Sequence, residues 1–254
     1  MIQKLKIKRK IGEFLLTLII PVLLLLLWEV LAVNGAIKET IMPRPSKIGS
    51  TLWELTQKGK LPHDIGISLR RVLIGYVSGS MFGILVGIVL GLFPRINVLL
   101  KLLVEILRPI PIIAWVPVLI LWVGIDEKSK VIVIAIGTFW PVLLNVIGGI
   151  ANVDRKYLEV STIFMKSKAT TVTKVVLPAA LPSIFTGLRI ALGSSLMGVI
   201  GAEMFAASSG LGYMVTYARD MSQPDKMLGG VFIIGVLGAI LNAVVAGIQK
   251  RQGV

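Results

Sequence analysis

Inside the long apolar runs of this 254-residue chain, Glu29, Glu105 and Glu203 are the acids, accompanied by Arg108, Arg189, Asn145, Ser194 and Ser195. An unpaired charge in hydrocarbon costs roughly 2.5 to 3.5 kcal/mol, so such groups must be paired, hydrated or neutralised. Arg189 and Glu203 are fourteen residues apart in one run. At about 1.5 Å of rise per residue, a helix keeps them from meeting. Two roles stay open for the arginines: Arg108 and Arg189 attract an anionic solute, or they snorkel to helix ends and make structural bonds. Glu203 either lines an outer gate or bonds the Gly210-Leu-Gly stretch. Trp115, Trp140, Asn145, Ser194 and Ser195 fit a cavity wall as well as ordinary packing positions, and with Arg108, Arg189 and Glu203 they form the candidate translocation path.

Catalysis finds little support. The chain has no cysteine and a single histidine, His63, which excludes disulfides, thiolate chemistry and a cysteine- or histidine-built metal site. Ser209-Gly-Leu-Gly resembles a serine-protease loop, but no apolar run holds a histidine to act as base. The phosphate-cradling pattern G-x-x-x-x-G-K-[ST] is absent, so the chain has no such means of holding ATP. A secondary transporter or channel remains the alternative from a different class. Proton-coupled carriers, however, place several acids or histidines inside the bundle.

The elements that position these groups follow from composition. Hydrophobic residues make up 55% of the chain and charged ones 16%, with a mean hydropathy of +0.87, too little polar surface for a water-soluble globule. Six apolar runs, Phe14 to Val33, Val72 to Phe93, Val98 to Val123, Val131 to Ile150, Ile184 to Ala206 and Leu228 to Ile248, are each long enough to cross about 30 Å of hydrocarbon as a helix. The expected architecture is an all-α membrane protein of about six spans. The first run follows a basic cluster, as a signal peptide does, but no small-residue cleavage site comes after it, and it reads as a retained helix.

Gly75, Gly79, Gly83, Gly87 and Gly91 recur every fourth residue of the second run, the pattern of a seam where another helix approaches closely. Pro109, Pro111 and Pro117 interrupt the third, which should kink or break there. The net charge is +14, and the basic residues sit between apolar blocks, which favours a membrane-flanking role over nucleic acid. Lys4, Lys6, Lys8, Arg9 and Lys10, then Arg155, Lys156, Lys166, Lys168 and Lys174, then Lys250 and Arg251, fall on one side of an even-numbered bundle. The positive-inside rule makes that side cytoplasmic and puts both termini there.

Residues 151–178 stand out within that side. Tyr157, Leu158, Ser161, Ile163 and Phe164 give a short amphipathic helix, too polar to span. It lies either on a partner's surface or on the inner leaflet.

This segment resembles the cytoplasmic loop of ABC importer permeases, whose pattern is Glu-Ala-Ala, a glycine four residues later and Ile-x-Leu-Pro ten beyond. Glu159, Val160 and Ser161 occupy the first places and Val175, Leu177 and Pro178 the last. Met165 stands where the glycine is expected, leaving the sharp turn between two short helices without its usual residue. Further motifs, LRPIPIIAWVP from Leu107, LWVGI from Leu121, PSIFTGLRIA from Pro182 and AEMFAASSGLGY from Ala202, are similar to the permeases that serve nitrate, alkanesulfonates, taurine and related solutes. The match runs from about Met42 to the carboxyl end.

The resemblance implies a type I importer (MetI-like) permease fold in a bacterial inner membrane, with residues 1–66 as a basic segment, first helix and outer loop and residues 67–254 as a five-helix core. It implies a second permease copy, in a homodimer, two ATPase subunits carrying ATP and Mg, and an extracytoplasmic solute-binding protein, with no cofactor on this chain. Asp154, Tyr157, Leu158, Glu159, Ser161, Met165, Leu177 and Pro178 become the expected coupling residues, with Glu159 capping or orienting the helix or meeting a basic residue of the partner.

Overall fold

The computed structural model describes residues 2–251, with side chains from residue 16 to residue 249 apart from residue 18. The side chains of Lys4, Lys6, Lys8, Arg9, Lys10, Lys250 and Arg251, on which the orientation expectation leans at both ends, lie outside that set. The described residues form helices and connections, with no strand among them. Helices α3 (Lys60–Leu92), α6 (Glu127–Ala151), the continuous stretch Lys168–Ala206 and Pro224–Gln249 are long and apolar enough to cross a membrane. The first expected span falls in α1 (Ile2–Val33), whose described apolar stretch Ile19–Val33 is shorter than these four, so the described residues give four spanning helices, or five with the bent pair below, against the six expected.

The third expected span is not one continuous helix. It consists of α4 (Pro94–Leu107) and, after a 3-10 turn at Ile112–Ala114, α5 (Trp115–Val123), and the two halves are bent by 83°. Pro109 and Pro111 fall in the break, where missing backbone donors cannot continue a helix. Pro117 is the third residue of α5, in the first turn, where its absent N–H interrupts no intrahelical bond.

By internal contacts the chain divides into two units, Met1–Pro62 with Val215–Val231, and His63–Met214 with Phe232–Val254. In the first unit, α2 (Pro45–Gln57) opens on a proline and has no side-chain cap from Arg44. Glu29 of α1 supplies one instead: its carboxylate accepts from the Ser46 backbone N–H at 3.0 Å and from the Ser46 hydroxyl at 2.7 Å, a negative charge at a helix N-terminus. On α2, Thr51 donates to Asp225 at 2.8 Å.

In the second unit α6 is the central helix, packed on one side by α3 and on the other by α9 (Leu177–Ala206). All five regularly spaced glycines of α3 face it. A Cβ added at Gly75 would lie 2.5 Å from the Ile134 Cβ, at Gly79 2.4 Å from the Ala135 carbonyl oxygen, at Gly83 3.0 Å from the Phe139 carbonyl oxygen, at Gly87 2.7 Å from the Val146 Cβ and at Gly91 2.8 Å from the Ile150 Cδ1. The α9 side repeats the device: Gly187 meets Asn145 and the Pro141 carbonyl, while Gly149 of α6 meets Ser183 and the Ala180 carbonyl. Ile134, Thr138, Val142 and Val146 of α6 are wholly buried between these two faces.

A π turn at Val172–Val176 links α8 (Lys168–Thr171) to α9. It includes Lys174, four residues before Pro178, where a proline ring would clash with the carbonyl of a regular α-helix.

The contrast among glycines is testable. Gly79→Ala should lower thermal stability in detergent by about 1 to 3 kcal/mol through backbone overpacking. Gly148→Ala, with nothing within 4 Å of the added carbon, should raise it by roughly 0.5 to 1 kcal/mol through helix propensity. Equal melting temperatures for the two variants would show that the seam is not tight.

Candidate functional site

Three clusters contain most of the candidate residues. The first is the loop helix α7 (Arg155–Ile163). Asp154 is its N-cap, its carboxylate accepting from the Lys156 backbone N–H at 2.9 Å. The capping expected of Glu159 therefore falls to Asp154, because Glu159 lies mid-helix, exposed, beyond reach of the free N–H groups of the first turn. Leu158 and Leu177 pack on the core formed by Val142, Val146 and Val176. Pro178 is the second residue of α9. Ser161 is buried, its hydroxyl bonded to that of Thr171, so it joins α7 to α8 instead of facing a partner.

Helix α7 ends in a Schellman motif. The Met165 N–H donates to the Thr162 carbonyl at 2.9 Å and the Lys166 N–H to the Ser161 carbonyl at 3.1 Å, the paired closing bonds that require a left-handed residue between them. Met165 is that residue, with φ of 47°. The sharp turn is present without its glycine, and the left-handed backbone costs a side chain about 1 to 2 kcal/mol. The methionine is 94% exposed and stands beside exposed Tyr157, Val160, Ile163 and Phe164. Arg155, Leu158, Glu159, Thr162 and Ile163 line a shallow groove along the helix.

The second cluster is a buried ion network. Glu203 is wholly buried, and its carboxylate is consumed by partners. It accepts from Arg71 at 2.9 Å, from the Ser68 hydroxyl at 2.8 Å and from the Gly212 backbone N–H at 2.8 Å. Arg71 also makes a bidentate pair with Glu127, at 2.8 and 2.6 Å, and donates to the Ser209 carbonyl at 2.7 Å, using the fork geometry that suits guanidinium to carboxylate. Lys130 approaches Glu127 at 3.3 Å. Asp64 accepts from the Gly210 N–H at 2.9 Å. Gly210 has φ of 111°, and a Cβ there would sit 2.4 Å from a Glu203 oxygen, so only glycine fits. Sequence reasoning missed Ser68, Arg71 and Glu127. The available signal was Glu203's need for a cation, with Arg71 one residue before the apolar run at Val72.

The third cluster is a cavity of about 390 Å³ between the α4–α5 break, α6 and α9, and Arg108, Trp140, Asn145 and Ser194 all line it. The other expected path residues lie elsewhere. Ser195 is wholly buried and donates to the Leu192 carbonyl at 2.7 Å. Trp115 packs against Val116, Leu119, Val133 and Ala202. Arg189, exposed on α9, donates from Nε to Asn242 of the helix Pro224–Arg251 at 3.1 Å. The eight residues are spread over the α4–α5 segment, α6 and α9, and adjacent positions of one helix, such as Ser194 and Ser195, point about 100° apart.

Arg71→Leu should destabilise the protein by about 3 to 5 kcal/mol by leaving Glu203 buried and unpaired, and Arg71→Leu with Glu203→Leu should recover much of that loss. Denaturation in mixed detergent reads both. At the loop turn, Met165→Gly should relieve the left-handed strain, a gain of about 1 kcal/mol at most, seen as slower hydrogen exchange at the Lys166 amide.

The chain matches the family of binding-protein-dependent transport system inner membrane components over residues 79–253. It is 36% identical to the putative aliphatic sulfonates transport permease protein SsuC of Bacillus subtilis, over 92% of this chain and 85% of that one. It is 32% identical to the taurine transport system permease protein TauC of Escherichia coli, over 90% and 85%. Among solved structures, a chain from inward-facing conformations of the MetNI methionine ABC transporter shares its fold with a TM-score of 0.64 at 19% identity, covering 72% of this chain and 92% of that one. With its apolar helices, its α6-centred core and the residues matched from 79 onward, this chain belongs to the family of binding-protein-dependent transport system inner membrane components.

Proposed function

We propose that this permease works as one of two identical copies beneath an extracytoplasmic solute-binding protein and above two ATPase subunits. ATP and Mg bind the ATPases, and this chain supplies the path. Its solute is small and anionic or polar, of the sulfonate, taurine, nitrate or vitamin-precursor kind. Both termini are cytoplasmic, which puts α7 on the ATPase side.

The observation that carries this reading is the exposed apolar end of α7. Tyr157, Val160, Ile163, Phe164 and Met165 project from a helix that is capped at both ends and tied to the core through Leu158 and Ser161. Such a rigid handle, with a displayed apolar tip, transmits force from a partner's cleft without itself hydrolysing anything. Nucleotide closure of the ATPase pair moves it, and the bundle rocks to open the path on alternate sides. The acids within the bundle also weigh against a proton-coupled carrier, since Glu203 is spent on Arg71, Ser68 and Gly212.

Glu159→Lys combined with Phe164→Asp should leave folding intact, because both residues are exposed. The variant should cut ATP-driven uptake in proteoliposomes by about tenfold or more, as loss of an interface anchor does. It should also abolish stimulation of ATP hydrolysis by the loaded binding protein. Unchanged uptake would remove α7 from the mechanism, and full-rate uptake by the isolated chain without an ATPase would remove the importer reading. Retained ATPase binding with loss of bilayer association would instead place α7 on the inner leaflet.

A further inference from the structure

Met165 does nothing for its own fold. It holds the left-handed backbone, φ of 47°, that glycine adopts without strain, and its side chain is 94% exposed. The two bonds that close the turn, from the Met165 N–H to Thr162 and from the Lys166 N–H to Ser161, run between backbone atoms and would form equally well with glycine. A strained backbone and an apolar thioether displayed on the surface are both unfavourable, and nothing within the chain offsets either. Such an outlier points to a use for the side chain, and that use lies in whatever meets it from outside.

Exposed Ile163 and Phe164 lead into the turn, and Glu159 and Thr162 line the groove that runs back from Ile163. A lipid leaflet suits the apolar tip but not that groove, because hydrocarbon would strip water from the Glu159 carboxylate without pairing it. A protein cleft can bury the tip and still offer Glu159 a partner. Arg155, Lys156, Lys166 and Lys168 are exposed around the helix, against Asp154 and Glu159, so the matching cleft is acidic at its rim. Methionine, unbranched and polarisable, suits an irregular apolar recess at the cleft's floor.

We infer that Met165 is the residue by which this permease selects its own ATPase: the matching ATPase subunit carries an acidic-rimmed apolar recess that takes the methionine side chain, and an ATPase suited to glycine at this turn lacks it. This rests on the importer reading and adds to it a choice among ATPases. The helix as a whole supplies the handle, while the side chain at its closing turn decides which motor holds it. Glycine would make the better turn and methionine makes the better key, so free-chain stability and partner affinity oppose each other at this one position.

That opposition gives the test. A residue that matters only for the turn ranks Gly and Asn, which tolerate the left-handed region, above Met and Leu; a residue that fills a recess ranks Met and then Leu above Asn and Gly. The permease is purified in nanodiscs with its own ATPase subunits, and ATPase dissociation is followed after dilution. Met165→Gly and Met165→Asn should each speed dissociation by about tenfold, as loss of an interface anchor does, and Met165→Leu by a much smaller factor. The melting temperature of Met165→Gly should equal or exceed that of the unaltered chain, which separates weaker binding from misfolding. Toward an ATPase subunit whose own permease has glycine at this turn, Met165→Gly should bind at least as tightly as the unaltered chain. Unaltered dissociation in both Met165→Gly and Met165→Asn, or slower dissociation in these two than in Met165→Leu, would overturn the selection role. So would protection of Met165 from hydrogen peroxide in ATPase-free nanodiscs of anionic lipid, which would put the tip in the leaflet. The importer reading fails on a different result, when the unaltered chain holds its ATPase in the expected order of variants yet gives no ATP-driven uptake.

Discussion

Lipid tails are as apolar as leucine, so the hydrophobic effect does not hold one membrane helix against another. What remains is close van der Waals approach, and this molecule obtains it by bringing backbone to backbone around α6. The five glycines of α3 leave no room for a side chain against Ile134, Ala135, Phe139, Val146 and Ile150, and Gly187 with Gly149 does the same between α6 and α9. Everything that acts is mounted on this arrangement. The cavity opens between α6 and α9 beside the α4–α5 break, and the base of α7 rests on the core where Val142, Val146 and Val176 meet.

At one end of the same helices, Arg71 joins three elements by bonding Glu203 of α9, Glu127 at the start of α6 and the Ser209 carbonyl in the loop after α9. A buried charge pair of this kind adds little net stability, but losing one partner is costly. Its effect is to fix geometry: it sets where the Gly210-Leu-Gly turn sits relative to α3, with Gly212 and Ser68 completing the carboxylate's bonds. The loop end of the bundle relies on a different device, in which α7 is closed by Asp154 at its start and by a left-handed residue at its finish.

Much of this was legible in the residues. The period-four glycines announced a seam, Pro109 and Pro111 announced a break, and the lengths of the apolar runs announced spans. Those features are local, governed by backbone sterics and by the thickness of a bilayer. The departure at Met165 was legible too, but its consequence was not. Whether a chain tolerates a left-handed methionine depends on the two closing hydrogen bonds and on Ser161 bonding to Thr171, and those belong to the folded loop.

Sequence alone therefore determined that this is a helical membrane permease with a short loop helix, because periodicity, apolar length and motif spacing are properties of consecutive residues. Only the tertiary structure decided which polar residues act together. It removed Glu203, Ser195, Trp115 and Arg189 from the cavity, kept Arg108, Trp140, Asn145 and Ser194 in it, and paired Glu203 with Arg71 across 132 positions of sequence. The physical reason is that a charge in a low-dielectric interior must find its counterpart in space, and distance along the chain carries no information about which helix will bring it.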